Sequence, residues 1–330
     1  MKIVITGGAG FIGSHLVEKL DSDNEIHVID NLSTGHLENI NPFLDKIKFH
    51  NFDLYSAKDD EIDQIISGSD VVFHLAALAD IVPSMQYPEK YYNSNVTGTL
   101  KLLQSLVRTK VSKIIYTASS SCYGIPDIFP TDEDAEERPQ YPYALTKLLG
   151  EKLIFHWSQI YGINAISLRL FNVYGTRSRT SGTYGAMFGV FLAQKLSNKP
   201  LTIVGDGTQT RDFTYVTDVV NALITVAYSE VTNQIFNIGS GNTISVNKIV
   251  ELLGCDKVFI PKRPGEPDCT FAKIDKIINL TDWRPKINIE EGIKNLISNI
   301  DYWKNAPVWT PNTIENETKD WFKYLGKKEI

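Results

Sequence analysis

Cysteine is scarce in this chain. Cys122, Cys255 and Cys269 are the only three in 330 residues, an odd number with no metal-ligand spacing between them. That speaks against a disulfide framework and a thiolate zinc site, and predicts reduced thiols in a cytoplasmic protein with no bound metal. No apolar run approaches the ~20 residues of a membrane span, so no membrane partner is expected. A basic surface is missing as well: 33 Lys and Arg against 39 Asp and Glu leave a net charge of −6. A mildly acidic protein has no electrostatic reason to seek a phosphate backbone, so nucleic acid is not expected as a partner. No leader peptide is expected, because the first residues already read as a core strand. Internal repeats and low-complexity tracts are absent. What the chain does have is 330 residues, 42% of them hydrophobic, enough for one large domain and a smaller one.

The most informative stretch is the first. Lys2-Ile3-Val4-Ile5 reads as a buried strand, Gly7, Gly10 and Gly13 as a turn, and Ser14 to Leu20 as a helix. Gly7 would permit a sharp exit from the strand, Gly10 the approach of a pyrophosphate, and Gly13 close packing of helix on strand. The helix N-terminus would then offer free N–H groups to phosphates. Glycine-rich turns are common without ligands, so the spacing needs support. It comes from a second strand, Glu25 to Asp30, which ends in an acidic residue about 20 positions past the turn. A carboxylate there accepts from ribose hydroxyls and repels a 2′-phosphate. Asn31 to Gly35 supply no cation to offset it, so NAD is expected rather than NADP.

Further strands are predicted at Ile47–His50, Val71–Ala77, Ile114–Ala118 and Ala165–Arg169, with helices between them. One helix spans Asn93 to Thr109 with an apolar stripe of Val96, Leu100, Leu103 and Val107. Strands alternating with helices predict an α/β protein with a doubly wound parallel sheet of Rossmann type. Residues 1–175 would form the NAD-binding domain, with a segment near 212–240 returning to it. Residues 176–330 would form mainly a smaller α/β substrate domain. Asp212–Val216 and Gln234–Gly239 read as strands, at least one of them rejoining the main sheet. The loop carrying Arg177 and Arg179 reads as solvated, and the Trp321-Phe322 pair as packing a terminal helix onto the body.

Tyr143 and Lys147 lie four residues apart at the start of a helix announced by Pro142, which puts both on one helical face. A nearby ammonium favours phenolate and would lower the tyrosine pKa toward the range of a general base. Ser119, Ser120 and Ser121 follow the fifth strand, where ligands sit in a doubly wound sheet.

Together these features resemble the extended short-chain dehydrogenase/reductase family, nearest its nucleotide-sugar epimerases and dehydratases of the UDP-sugar 4-epimerase type. The resemblance rests on the glycine turn with Asp30, the serine-bearing strand end, Tyr143-x-x-x-Lys147 and Arg169-x-x-Asn172-x-Tyr174-Gly175. It continues through Gly205-Asp206-Gly207-x-Gln209-x-Arg211-Asp212-Phe213, Phe236-Asn237-Ile238-Gly239 and Arg263-Pro264-Gly265-Glu266-Pro267, covering roughly residues 1 to 300.

The resemblance implies Ser119, Tyr143 and Lys147 as catalytic residues. It implies cofactor contacts at Gly7, Gly10, Phe11, Ile12, Gly13, Asp30, Asn31, Ser33, Thr34, Gly35, Asp53, Leu54, Leu75, Ala76, Ala77, Asn95, Thr117 and Phe171, besides Tyr143 and Lys147. Substrate contacts are implied at Ser84, Ser119, Ser120, Ser121, Tyr143, Asn172, Thr202, Val204, Arg211, Arg263 and Glu266. Dehydratases of this family carry an Asp-Glu pair where this chain has Ser120 and Ser121, and decarboxylases commonly a Glu at the second position. Serine cannot replace a carboxylate base at neutral pH. The machinery left is oxidation and re-reduction at one sugar carbon through a 4-keto intermediate, as in a UDP-glucose/UDP-galactose type 4-epimerase with NAD retained. Thr270 lies near a position where hexose-specific relatives carry Tyr, which implies room for an N-acetyl group. Alternatives on the same fold are a UDP-glucuronate or GDP-sugar epimerase, a 4-keto-sugar reductase, a decarboxylase or dehydratase, or a non-catalytic NAD-sensing regulator. A homodimer through the helices after Asn93 and Tyr143 is expected.

Overall fold

The computed structural model describes residues 1–20, 24–178 and 186–326. It opens with β1 (Lys2–Thr6), α1 (Phe11–Leu20), β2 (Glu25–Ile29), β3 (Ile47–His50), α2 (Asp59–Ile66) and β4 (Val71–His74). Two short helices follow, α3 (Ile81–Gln86) and α4 (Pro88–Tyr92), then a π turn at Asn93–Thr97 that runs into α5 (Gly98–Thr109). After β5 (Lys113–Ser119), α6 (Pro142–Tyr161) and β6 (Asn164–Leu170) comes a second set of shorter elements. These are β7 (Val173–Tyr174), α7 (Met187–Leu196), β8 (Leu201–Val204), β9 (Thr210–Arg211), β10 (Thr214–Tyr215), α8 (Val216–Tyr228) and β11 (Gln234–Ile238). The chain then runs through β12 (Ile244–Ser245), α9 (Val246–Leu253), β13 (Lys257–Ile260), β14 (Cys269–Thr270), α10 (Asp275–Leu280), α11 (Ile289–Ser298), α12 (Pro311–Glu317) and α13 (Lys319–Leu325).

The main sheet has seven parallel strands in the order β11-β6-β5-β4-β1-β2-β3. Both faces are covered, and the pleat sorts the side chains between them. Ile3, Ile5, Phe73, Ile115 and Ile166 face one apolar layer with Leu16 and Val17 of α1 and Val219 and Leu223 of α8. Val4, Val72, Ile114 and Ala165 face the other, with Ile62 of α2, Leu102, Leu103 and Leu106 of α5 and Ile154 of α6. A third apolar cluster joins Phe188, Phe191, Leu201, Ile203, Ile249, Leu253, Leu296 and Trp303 beyond the sheet. Strand order reverses between β1 and β4, so the loops after those two strands diverge and leave a crevice at their carboxyl ends. No described helix is long and apolar enough to cross a membrane.

Several boundaries differ from the sequence expectation. Helix α1 begins at Phe11 rather than Ser14, because Ser14 N already donates to Gly10 O at 3.0 Å, which places Gly13 inside the first turn. Strand β4 stops at His74, and β5 runs on to include Ser119. The helix expected over 93–109 is interrupted by the π turn, and its deepest residues are Leu102, Leu103 and Leu106, while Leu100 and Val107 are half-buried. Of the strand expected at 212–216 only Thr214 and Tyr215 form one, and Val216 already opens α8. Arg211 pairs into a small sheet with β12 and β14, whereas Thr214 and Tyr215 pair with β7. Asp212 between them is fully buried: its carboxylate accepts from Ser240 N at 2.6 Å and Ala272 N at 3.1 Å, and its own N donates to Thr270 O at 2.9 Å, so the backbone stays with β14 as far as Asp212 and only then crosses to β7. Gln234–Ile238 does rejoin the main sheet, as an edge strand beside β6.

Candidate active site

One cleft of about 670 Å³ runs along the carboxyl ends of the main-sheet strands and out to the smaller sheets. At its first end stands the glycine turn. Gly7 holds φ +73°, and a Cβ there would sit 2.8 Å from Ala76 N; at Gly13 it would sit 2.1 Å from Gly7 O. Only glycine fits either place, so β1, α1 and the segment after β4 close onto one another at van der Waals distance. At Gly10, which lines the cleft, an added Cβ would meet only Gly7 O at 3.2 Å, leaving its cleft side open. Phe11, Ile12 and Gly13 of the first helical turn also line the cleft and bring its N-terminal dipole there.

Asp30 follows β2 directly and is buried. Its carboxylate accepts from Ala9 N at 2.9 Å and Leu32 N at 2.8 Å. Burial pushes its pKa up, while those two N–H groups pull the other way. Asn31 Nδ2 donates to Asp53 Oδ2 at 2.8 Å, and Ser33, Thr34, Leu54, Leu75, Ala76, Ala77 and Thr117 complete this half of the wall. Among the described residues lining the cleft the cations are Lys147, Arg211 and Arg263. Neither partner of the Asp30 carboxylate is a cation, which suits a ribose diol and not a 2′-phosphate. The open cradle at Gly10, the free N–H groups of α1 and the buried acceptor Asp30 therefore fit NAD.

In the middle of the cleft, Ser119 ends β5 and Tyr143 lies in the first turn of α6 behind Pro142. The Ser119 hydroxyl bonds Tyr143, and its Oγ accepts from Ser121 Oγ at 2.8 Å and Ser121 N at 3.2 Å. Burial pushes the Tyr143 phenol above its ordinary pKa, and the Ser119 hydrogen bond opposes that. Lys147 is also buried, with Nζ 4.2 Å above the centre of the Tyr116 ring. Desolvation lowers its pKa to about 7, against the pull of Glu151. The expectation that the ammonium alone would bring Tyr143 into range is thus modified: burial dominates both groups. His74 behind them is held between Thr6 Oγ1 at 2.7 Å and Thr99 Oγ1 at 2.8 Å, and burial keeps it neutral with a pKa of about 3.

The far end is lined by Asn172, Thr202, Val204, Arg211, Arg263, Glu266 and Thr270. Asn172 has φ +26°, and its Oδ1 accepts from Thr270 Oγ1 at 2.7 Å. Arg211 Nη2 donates to Glu266 Oε1 at 3.0 Å, and Arg263 Nη1 stands 3.9 Å from the same carboxylate. Thr202 is buried; its N donates to Gln194 Oε1 at 3.1 Å, and its Oγ1 accepts from Gln194 Nε2 at 2.9 Å.

Four of the residues expected at the site do not line the cleft. Gly35 packs the loop against the glycine turn, where a Cβ would lie 2.9 Å from Ala9 C. Asn95 is buried and ties the cleft-lining Leu78 to α6, accepting from Leu78 N at 2.8 Å and donating to Thr146 Oγ1 at 3.0 Å. Phe171 is buried against Tyr123. Ser84 is fully buried and turned back on its own helix, donating to Ile81 O at 2.6 Å; Asp80, Ile81 and Val82 line the cleft in its place. Arg177 is not a solvated loop cation but pairs with Glu18 at 2.6 Å, and Arg179 lies outside the described residues. Tyr141, Phe188, Phe191, Phe213, Gln209 and Trp321 also line the cleft, although the sequence reading placed none of them among the site contacts. Tyr141 stacks on Tyr143 at 6.3 Å and bonds Ser121, a role that its place just before Pro142 could have suggested. Trp321, expected to pack the terminal helix together with Phe322, is buried and reaches the cleft, whereas Phe322 is exposed. No group of three or more His, Cys, Asp or Glu that could hold a metal occurs among the described residues.

A sequence model described as the NAD dependent epimerase/dehydratase family matches residues 3–239. The UDP-glucose 4-epimerase of Lactobacillus helveticus is 32% identical over 337 residues, which cover 93% of this chain and 98% of that protein. The solved UDP-N-acetylglucosamine 4-epimerase from Methanobrevibacter ruminantium M1, in complex with UDP-N-acetylmuramic acid, is similar with a TM-score of 0.84 and 32% identity, covering 90% of this chain and 98% of that one. The UDP-glucuronic acid 4-epimerase from Bacillus cereus, in complex with UDP-glucuronic acid and NAD, likewise gives a TM-score of 0.84 at 32% identity, covering 91% and 99%.

Proposed function

The chain belongs to the NAD-dependent epimerase/dehydratase family, and from that premise we propose that it inverts C4 of a UDP-sugar. The observation that carries the reading is the Ser119–Tyr143–Lys147 group midway along one cleft, between an end shaped for NAD and an end with two arginines. When bound, NAD supplies the hydride acceptor and donor for C4. Gly7, Gly10 and Gly13 with the N-terminus of α1 would hold its pyrophosphate, Asp30 its adenosine ribose, and Lys147 its nicotinamide ribose.

The chain's own residues then move one proton each way. Tyr143, as phenolate, takes the proton of the sugar C4 hydroxyl, with Ser119 bridging, and the sugar becomes a 4-keto sugar. A protonated Lys147 favours the phenolate, and at a pKa of about 7 it is poised between its two states near neutral pH. After the ketone has turned over, Tyr143 returns the proton to the C4 oxygen, so the reaction closes with no net redox. Turning over requires that the sugar not be the anchor. Arg211 and Arg263 would hold the diphosphate, for which guanidinium forks are suited. Thr202 and Val204, at the same end of the cleft, would rest against the base. Ser120 and Ser121 give no carboxylate to remove a second proton beside Ser119, which supports epimerisation over dehydration.

The small Thr270, which lines the cleft beside Asn172, supports acceptance of an N-acetylated sugar. A homodimer through α5 and α6 is supported by Leu145, Ile160 and Tyr161, exposed apolar residues on α6, and sedimentation would test it. The function is tested by Tyr143→Phe: turnover of UDP-sugars should fall by roughly three orders of magnitude or more, with NAD still bound. Near-normal turnover would refute the assignment.

A further inference from the structure

The last described helix, α13, lies beyond residue 239, where the family match ends, yet it reaches into the cleft. Its Trp321 is buried, lines the cleft, and donates Nε1–H to Pro264 O at 2.7 Å. The Arg263 guanidinium lies 5.3 Å from the centre of the indole ring, and the Tyr141 ring lies 6.4 Å away on the side of Tyr143. The helix is tied to the far wall as well, since Asp320 Oδ2 accepts from Gln86 Nε2 of α3 at 3.1 Å. The strand of chain before it is fixed at the other wall, where Trp309 O accepts from Gln194 Nε2 at 2.8 Å, the amide that also donates to Thr202. The C-terminal segment thus spans the cleft's rim from α3 to the base-side strand, with Trp321 against the arginine.

We propose that Trp321 is a positioning residue for Arg263, holding its guanidinium toward the diphosphate of the nucleotide substrate. This rests on the nucleotide-sugar reading of the cleft. An aromatic face takes the flat side of a guanidinium and leaves its in-plane N–H edge available to acceptors, which a carboxylate partner would engage instead. Glu266 is such a carboxylate, 3.9 Å from Arg263 and already bonded to Arg211 at 3.0 Å. The indole face, 5.3 Å from the guanidinium, would hold Arg263 short of a full pairing with Glu266. The hydrogen bond from Nε1–H to Pro264 O seats the ring beside Arg263 without touching the guanidinium, so the aromatic face and not this bond carries the proposed role.

The test uses full-length enzyme with NAD, measuring UDP binding by calorimetry and steady-state epimerisation. Trp321→Leu keeps apolar bulk without a π face, and Trp321→Phe keeps the face. The leucine variant should weaken UDP binding and raise KM for the sugar nucleotide by about tenfold, with kcat within about threefold and NAD content unchanged. The phenylalanine variant should stay within about threefold of wild type. In an Arg263→Ala background, Trp321→Leu should add no further loss, which a role in general folding would not produce. Equal behaviour of Leu and Phe, or additive losses in the double variant, would overturn the proposal. So would a fall in kcat at constant KM. Wild-type protein that binds no UDP would refute the nucleotide reading itself, whereas wild-type binding that Trp321→Leu leaves intact would refute this inference alone.

Discussion

Lys147 provides the sharpest physical prediction. In the folded chain burial lowers its pKa from 10.5 to about 7. A basic group depressed in this way costs stability wherever the folded protein must carry its charge. Below about pH 7 it is protonated in both states and the whole cost is present. Between the folded and unfolded pKa values the unfolded chain holds a proton that the folded chain has released, so stability rises with pH. Above the unfolded value the contribution levels off. The full span of 3.5 pKa units corresponds to roughly 5 kcal/mol, at a slope of up to about 1.4 kcal/mol per pH unit. Lys147→Met removes the charge while keeping much of the apolar stem. Urea unfolding of cofactor-free protein between about pH 7 and about pH 10 should show wild type gaining stability relative to this variant by several kcal/mol. A difference that stays flat across that window, or falls with pH, would refute the account of Lys147 as a desolvated ammonium.

Two further outcomes follow from close contacts. Gly13→Ala would set a Cβ 2.1 Å from Gly7 O and 2.7 Å from Gly8 Cα, both backbone atoms that cannot rotate away. It should destabilise by about 3 kcal/mol or more and strip NAD, read by melting temperature and by cofactor content after purification; a wild-type melt with full NAD would contradict the closed-turn argument. Thr270→Tyr should reduce turnover of an N-acetylated UDP-hexose by about tenfold or more relative to its unacetylated counterpart, because steric exclusion from a fixed wall is worth a few kcal/mol. An unchanged ratio would remove Thr270 from the specificity argument.

How much was legible in the sequence depended on whether a feature was local. The glycine turn, Asp30 at the end of β2, and the Tyr143–Lys147 pair behind Pro142 each follow from conformational rules within a few residues, and the cleft contains them all. The strand expected over 212–216 was not local: Arg211 and Tyr215 take their partners from different strands, and buried Asp212 is claimed by Ser240 and Ala272. The π turn at 93–97, which carries buried Asn95 and ends against Gly98, interrupts an apolar period that otherwise reads as one continuous helix. Ser84 was implied by resemblance, but its hydroxyl is taken up by Ile81 O one turn away. Lys147 had the right place, yet its depressed pKa depends on burial that a spacing argument cannot supply. Trp321 meets Pro264 across 57 residues, a contact with no signature in periodicity.

In the proposed reaction C4 is inverted through a 4-keto sugar and receives the same hydrogen back. The direct measurement is to convert UDP-glucose, UDP-N-acetylglucosamine and UDP-glucuronic acid in D2O and read the products by NMR. The expected product is the C4 epimer of at least one of them, with protium kept at both C4 and C5 and no net consumption of NAD. Deuterium at C5, loss of water or carbon dioxide, or stoichiometric reduction of NAD would contradict it.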